Sequence, residues 1–141
     1  MANKSLSELF IHVDGASRGN PGPASFGMIM RDPSGKVVKS VGQRIGTVTN
    51  NVAEYFGLVF AMQEALMMRA VRIEIRTDSE LVVKQHSGEY KIKDPILKAL
   101  SLLVKHLERG FEAVRVVHVP REENRDADGL ANQALDEISL F

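Results

Sequence analysis

The sequence predicts one α/β domain built on a mixed five-stranded sheet with helices on its faces. Apolar, β-rich segments fill the N-terminal third and are joined by short turns, as in an antiparallel meander. Further on, strands alternate with helices, and strand–helix–strand units make their strands parallel through right-handed crossovers. The 141 residues, 44% hydrophobic and 26% charged, are typical of a globular domain with its own core.

The predicted element order is β-β-β-α-β-α-α-β-α, with the first, fourth and fifth strands parallel to one another. The strands are predicted at residues 9–14, 26–31, 36–44, 71–77 and 113–119. The helices are predicted at about 51–69, 80–87, 95–110 and 124–138. The first helix has almost no polar face, so we expect it to be buried on most sides.

Capping residues predict where the helices begin and end. Asn51 and Glu54 have the spacing of a capping box. Pro95 suits a first helical position and Gly110 a C-cap. The other N-caps are predicted at Asp78-Ser79 and Asn124.

Composition and termini indicate the domain organisation. We expect a polar N-terminal segment at 1–8, the main domain at 9–136, and an apolar tail at 137–141 whose Leu140 and Phe141 dock on the domain. The N-terminal segment lacks the apolar stretch of a signal peptide, and we expect no membrane span. The chain has no cysteine, which excludes disulfides and thiolate chemistry. We expect a cytoplasmic monomer.

The chain has a formal net charge of zero, with 18 basic and 18 acidic residues. Proteins that bind nucleic acid usually carry a basic excess, because they neutralise phosphates. Any basic surface for nucleic acid must therefore be local.

Carboxylates recur at the ends of predicted elements, and each has a simple local explanation. Asp14-Gly15 is a hairpin-turn signal, Glu54 completes the capping box, and Asp78 is an N-cap candidate. Asp126 and Asp128 suit a helix N-terminus, where negative charge is favourable. The last two are about 200° apart around the helix, so geometry leaves open which of them belongs to a site.

Taken together, the carboxylates predict a metal site. Asp14 and Asp78 follow parallel strands, whose carboxyl ends meet at one edge of the sheet. Converging carboxylates repel one another, and a divalent cation relieves that repulsion. Ligands that are all oxygens suit Mg²⁺ or Mn²⁺ rather than Zn²⁺. Two such ions about 3.5–4 Å apart activate water and stabilise the leaving oxygen of a phosphodiester.

Four segments resemble, in order, the four motifs of type 1 ribonuclease H, in the short archaeal-like form. They are residues 14–24, 49–54, 77–83 and 118–132. The resemblance implies the ribonuclease H-like fold and hydrolysis of the RNA strand of an RNA–DNA hybrid to 5′-phosphate and 3′-hydroxyl ends. It also implies that two Mg²⁺ or Mn²⁺ ions bind with substrate present. The implied catalytic ligands are Asp14, Glu54, Asp78 and Asp128, since the family pattern Ala-Asp-x-Leu-Ala selects Asp128 over Asp126.

The resemblance also implies residues that contact the substrate. These are Gly15, Ser17, Asn20, Thr49, Asn50 and Asn51. Amides near a minor groove recognise 2′-hydroxyls, although Asn and Thr are equally common as caps and turn residues. His118 and Arg121 are candidates for an auxiliary role in proton transfer or product release, and His118 is otherwise a half-buried strand residue.

Two other functions remain open at this point. Double-stranded RNA also presents a minor groove with 2′-hydroxyls, so the chain is a candidate to cleave it. A non-catalytic nucleic-acid-binding module on the same fold is the alternative from a different class. The family's extra basic helix is missing, and the region 88–95 offers only Lys91 and Lys93 as a basic pair. The set of four carboxylates favours the enzyme.

Overall fold

The structure, a computed structural model, describes residues 7–138. The strands are β1 (Glu8–Ser17), β2 (Gly22–Arg31), β3 (Val37–Val48), β4 (Arg72–Thr77) and β5 (Ala113–His118). The α-helices are α1 (Asn50–Met67), α2 (Glu80–Ser87), α3 (Pro95–Glu108) and α4 (Arg125–Ile138), with a short 3₁₀ turn at Arg121–Glu123. The predicted docking of Leu140 and Phe141 lies outside the described residues. None of the helices in the described range is long and apolar enough to cross a membrane.

The five strands form one mixed sheet in the order β3-β2-β1-β4-β5. β1, β4 and β5 are parallel, whereas β2 runs antiparallel to both of its neighbours. This is the predicted fold class, and the order of elements also agrees with the prediction.

β1 is longer than predicted, and the interpretation of Asp14-Gly15 as a hairpin turn is wrong. The antiparallel pairing with β2 continues beyond Asp14, through Gly15 opposite Phe26, to Ser17 opposite Ala24. Small residues allow this pairing to continue, so the connection shrinks to residues 18–21. The parallel pairing with β4 ends two residues before Asp14, at His12 opposite Arg76. Asp14 therefore lies just past the carboxyl end of the parallel ladder.

α1 is the central helix, as predicted, and it packs against the sheet on one side and α3 on the other. Its buried residues include Tyr55, Leu58 and Met62. The predicted capping box of Asn51 and Glu54 is wrong. The Thr49 hydroxyl caps the helix by accepting from the Val52 N–H, and Glu54 is buried.

The caps of α2 and α3 are partly as predicted. Ser79 caps α2, whose C-cap Gly88 adopts the left-handed conformation, and Asp94 precedes Pro95 as the N-cap of α3. Gly110 is not the C-cap of α3, because the helix ends at Glu108 with Arg109 as its cap. Gly110 instead allows close packing, since a Cβ there would lie 2.6 Å from a methyl carbon of Leu66.

α4 lies on the opposite face of the sheet from α1, over β2, β3 and β1. Gly27 and Gly42 pair across β2 and β3, and a Cβ on either would collide with the helix backbone. Two residues before Gly27 on β2, the Ser25 hydroxyl donates to the Ala131 carbonyl of the helix at 2.5 Å. These small residues let α4 sit directly on the strands.

The sequence predicts Asn124 as the N-cap of α4, but in the structure its side chain does not cap the helix. The residue is buried, and its amide nitrogen donates instead to the Val13 carbonyl of β1 at 2.9 Å. Its main-chain carbonyl accepts from the Asp128 N–H and begins the helix. The start of α4 is thereby tied to the strand that carries Asp14.

We predict that Gly27→Ala destabilises the protein and that Gly129→Ala does not. A Cβ on Gly27 would lie 2.0 Å from the Ala127 carbonyl oxygen, whereas one on Gly129 meets nothing within 4 Å. Overpacking should lower the free energy of unfolding by about 1–3 kcal/mol for Gly27→Ala. Helix propensity should raise it by roughly 0.5–1 kcal/mol for Gly129→Ala. Urea denaturation measures the free energy of unfolding of both variants. Equal values would contradict this account of how α4 packs on the strands.

Candidate active site

Three carboxylates from separate elements converge at the carboxyl end of the parallel strands. Asp14 comes from β1, Glu54 from the N-terminal part of α1 and Asp78 from the segment after β4. One oxygen of each lies within 4.8 Å of the others. Asp14 and Glu54 are buried, with 7% and 2% of their surfaces exposed, and Asp78 is half-buried.

Glu54 is held by hydrogen bonds from both neighbouring strands. Its Oε1 accepts from the Gly15 N–H at 2.6 Å, and its Oε2 accepts from the Thr77 hydroxyl at 2.9 Å. Gly15 is required for this approach, because a Cβ there would lie 2.5 Å from the Glu54 backbone nitrogen. The Asp-Gly pair in β1 therefore supplies one carboxylate and the space for another.

Asp78 is not used as a helix cap. The Ser79 hydroxyl accepts from the Val82 N–H and takes that role for α2. The Ser79 N–H in turn donates to the Thr77 hydroxyl at 3.0 Å. The capping role predicted for Asp78 is thus filled by Ser79, and the Asp78 carboxylate belongs to the cluster.

The structure separates Asp128 from Asp126. The Asp128 side chain, in the first turn of α4, lies close enough to the Asp14 carboxyl to help raise its pKa, and it lines the same cavity. Asp126 forms an ion pair with Arg31 at 2.8 Å, and 66% of its side chain is exposed. Tertiary packing therefore brings Asp128 to the cluster and directs Asp126 elsewhere.

The cluster is electrostatically unfavourable without a cation. Burial, the charge of Glu54 and the contact with Asp128 raise the pKa of Asp14 to about 10. Burial also raises the pKa of Glu54 to about 7, although the hydrogen bond from Gly15 opposes the shift. The metal-free pair therefore retains a proton at neutral pH.

The donor set fits a hard divalent cation. All of its ligand atoms are carboxylate oxygens, which Mg²⁺ and Mn²⁺ prefer. A bound cation would favour the ionised form of Asp14 and Glu54 and would replace the shared proton.

A cavity of about 500 Å³ opens above the carboxylates. Of the predicted substrate-contacting residues, Gly15, Ser17 and Asn50 line it, and so do both auxiliary candidates, His118 and Arg121. His118 is exposed at the end of β5 rather than half-buried within it.

Asn20, Thr49 and Asn51 do not line the cavity. The Asn20 side-chain oxygen accepts from the Asn50 N–H at 2.9 Å. Asn20 therefore holds Asn50, which does line the cavity. The Thr49 hydroxyl caps α1. The Gly15 N–H donates to Glu54, so what Gly15 offers a substrate is open space rather than a donor.

Four cavity-lining residues are not among the predicted site residues, namely Ala16, Ser79, Pro120 and Asn132. Asn132 is one helical turn after Asp128, and its amide nitrogen donates to the Asp128 Oδ1 at 3.2 Å. The i, i+4 spacing on a predicted helix was the signal that could have found it.

Fold and site together define a ribonuclease H-like α/β domain with a carboxylate centre. Comparison with known proteins agrees. A family model described as "Reverse transcriptase-like" matches residues 12–134. Ribonuclease HI of Halobacterium salinarum is 44% identical over 126 residues, which are 89% of this chain. This chain spans 63% of that relative's length.

Solved structures show the same likeness. RNase H1 of Halobacterium salinarum superposes with a TM-score of 0.90 at 42% identity, covering 92% of this chain and 98% of that one. LC11-RNase H1, solved in complex with an RNA/DNA hybrid, gives 0.87 at 39% identity, covering 92% and 98%. The chain belongs to the ribonuclease H family, in the short type 1 form.

We predict that the metal-free protein loses thermal stability as pH rises. The folded pKa values of Asp14 and Glu54 lie above their ordinary values of 3.8 and 4.5, so the folded state binds more protons than the unfolded state. Protonated Asp14 and Glu54 contribute their full stabilisation of the folded state below about pH 4. This contribution declines as pH rises through 7 toward 10. Melting temperatures in EDTA should fall across this range.

Two controls assign this pH dependence to the cluster. Saturating Mg²⁺ should flatten the slope, because the cation favours the ionised carboxylates, and Asp14→Asn should flatten it in EDTA. A melting temperature that rises with pH in EDTA would contradict the assignment.

Proposed function

We propose that this protein is a metal-dependent endonuclease that hydrolyses the RNA strand of RNA–DNA hybrids to 5′-phosphate and 3′-hydroxyl products. The observation that carries the proposal is the convergence of Asp14, Glu54 and Asp78, with Asp128 in contact with Asp14. The complex of LC11-RNase H1 with an RNA/DNA hybrid supports the choice of substrate. Cytoplasmic location and a monomeric state belong to the same proposal.

The four carboxylates are proposed to hold two Mg²⁺ or Mn²⁺ ions when substrate is bound. Such ions supply an activated water and charge stabilisation for the leaving oxygen. Asp14 and Glu54 sit deepest and fix the centre, because Glu54 is anchored to Gly15 and Thr77. Asp78 and Asp128 are half-buried and line the cavity from separate elements, where a bound substrate can approach them.

Recognition of the RNA strand is proposed to fall to the cavity wall near the N-terminus of α1. Asn50 is exposed there, and Asn20 holds its backbone. An amide side chain in this position can pair with a 2′-hydroxyl, which distinguishes RNA from DNA. Ser17 lines the same wall, and its hydroxyl donates to the Val48 carbonyl at 3.0 Å, which ties β1 to the end of β3.

His118 and Arg121 are proposed as auxiliary groups in the same cavity. Both are exposed and line the cavity. An imidazole can transfer a proton near neutral pH. A guanidinium cannot transfer a proton in this range, but it binds phosphate in a bidentate manner and therefore suits a phosphate of substrate or product. The two residues therefore divide the auxiliary chemistry between proton transfer and phosphate binding.

Double-stranded RNA is a second candidate substrate. It presents the same wide minor groove with 2′-hydroxyls that the Asn50 wall would meet. A non-catalytic binding module accounts less well for the site, because two buried carboxylates are unfavourable without a cation to offset their charge.

The first test uses end-labelled RNA–DNA hybrid and RNA duplex of one sequence, each with Mg²⁺, Mn²⁺ or EDTA. We expect metal-dependent cutting of the RNA strand in the hybrid and none in EDTA. Cutting of both substrates would assign the broader activity. Hybrid binding without cutting under either metal would reject the enzyme in favour of the binding module.

A second test separates the two aspartates of α4. Asp128→Asn should lower kcat by more than about 100-fold, since loss of groups that merely support metal ligands already lowers activity by roughly 10–100-fold. Asp126→Asn is the matched control, because Asp126 pairs with Arg31 at the surface, and it should keep activity within about twofold. Steady-state cleavage of the hybrid measures both. Equal losses would remove Asp128 from the proposed ligand set.

A further inference from the structure

Asn132 makes a paired contact with a single residue, Asp128. Its amide nitrogen donates to the Asp128 side-chain Oδ1 at 3.2 Å and to the Asp128 main-chain carbonyl at 3.0 Å. Both acceptors belong to the residue one turn earlier on α4, so the amide spans the backbone and the side chain of Asp128. Asn132 also lines the carboxylate cavity.

We infer that Asn132 is a positioning residue that holds the Asp128 carboxylate toward Asp14. This inference rests on the proposed function, because it assigns Asn132 to the orientation of one proposed metal ligand. The contact engages one oxygen of Asp128 and leaves the other available to the centre.

Asp128 needs such a partner because its position is weakly determined. The terminal torsion of an aspartate is broad, so the carboxylate rotates unless a donor holds it. Asp128 lies outside the group of three carboxylates whose oxygens come within 4.8 Å of one another. In the ionised state that a bound cation would favour, Asp128 also faces the like charge of Asp14, and the repulsion would turn its carboxylate away. A neutral donor at Asn132 opposes that turn without adding charge.

The turn of α4 that carries Asn132 is itself tied to the loop after β1. The Arg18 guanidinium donates to the Asn132 carbonyl at 3.4 Å and pairs with Asp136 at 2.5 Å. The Arg18 and Asp136 side chains are 46% and 68% exposed, so this link contributes little energy and chiefly sets the distance between loop and helix. Asn132 is therefore the nearer determinant of the Asp128 orientation.

The test compares Asn132→Leu with Gln133→Leu. Both remove a side-chain amide at similar size on the same turn, but Gln133 is exposed and lies away from the carboxylate cavity. Asn132→Leu should lower kcat on the hybrid about tenfold, as expected for one hydrogen bond to a charged group. KM and melting temperature should stay close to wild type, and Gln133→Leu should change neither kinetic constant.

Mn²⁺ binding without substrate gives a readout that a merely structural role would not move. Calorimetry should show weaker Mn²⁺ binding by Asn132→Leu than by wild type or Gln133→Leu. In an Asp128→Asn background, Asn132→Leu should weaken Mn²⁺ binding no further, because Asn132 acts through Asp128. Asn132→Ala repeats the comparison if the leucine variant unfolds at lower temperature.

Three results would overturn the inference. These are an unchanged kcat, a rise in KM alone, and additive effects of Asn132→Leu and Asp128→Asn on Mn²⁺ affinity. If wild type fails to cleave the hybrid, the proposed function fails on its own. The calorimetric comparison still decides whether Asn132 supports Asp128, and equal Mn²⁺ affinities would reject it.

Discussion

The site depends on the close approach of α1 to β1, where the Gly15 N–H donates to Glu54 at 2.6 Å. The helix can approach this closely only because residue 15 has no Cβ. The approach brings Glu54 beside Asp14 and lets Thr77 reach its other oxygen at 2.9 Å. Two hydrogen bonds to Glu54 thus join α1 to β1 and to the end of β4, after which Asp78 follows.

This arrangement works against the stability of the metal-free fold. Asp14 and Glu54 are buried, and burial is the main reason that both pKa values are raised, with the charge of Glu54 adding to the shift of Asp14 and the charge of Asp78 adding to that of Glu54. The surrounding core offsets that effect, since α1 buries most of its length between the sheet and α3. A carboxylate cluster already assembled by the surrounding core suits a cation, because its oxygens do not have to move together when an ion arrives.

α4 adds the fourth carboxylate from the other face of the sheet. Its position is set by the glycines of β2 and β3, which admit the helix backbone, and by Asn124, which joins its first residues to Val13. Because Val13 directly precedes Asp14, the same hydrogen bond relates Asp128 to the strand that carries the first carboxylate. The orientation of Asp128 is then refined by Asn132, which belongs to the helix itself.

The sequence by itself predicted the order of elements, the parallel set of strands and the clustering of Asp14, Glu54 and Asp78, because periodicity and motif spacing are local properties. For α4 it offered both Asp126 and Asp128, and the choice of Asp128 came from the family pattern. It could not determine the length of β1 or the cap of α1. The small residues after Asp14 indicate a turn when the sequence is considered alone, but in the structure they pair with β2. Glu54 has the spacing of a capping residue, but its carboxylate accepts hydrogen bonds from Gly15 and Thr77 instead. Only the tertiary structure showed that Asp128 lines the carboxylate cavity while Asp126 pairs with Arg31, and it alone revealed the contact of Asn132 with Asp128. The helix presents the two aspartates to different surroundings, and those surroundings, Arg31 for one and Asp14 for the other, come from strands distant in the sequence.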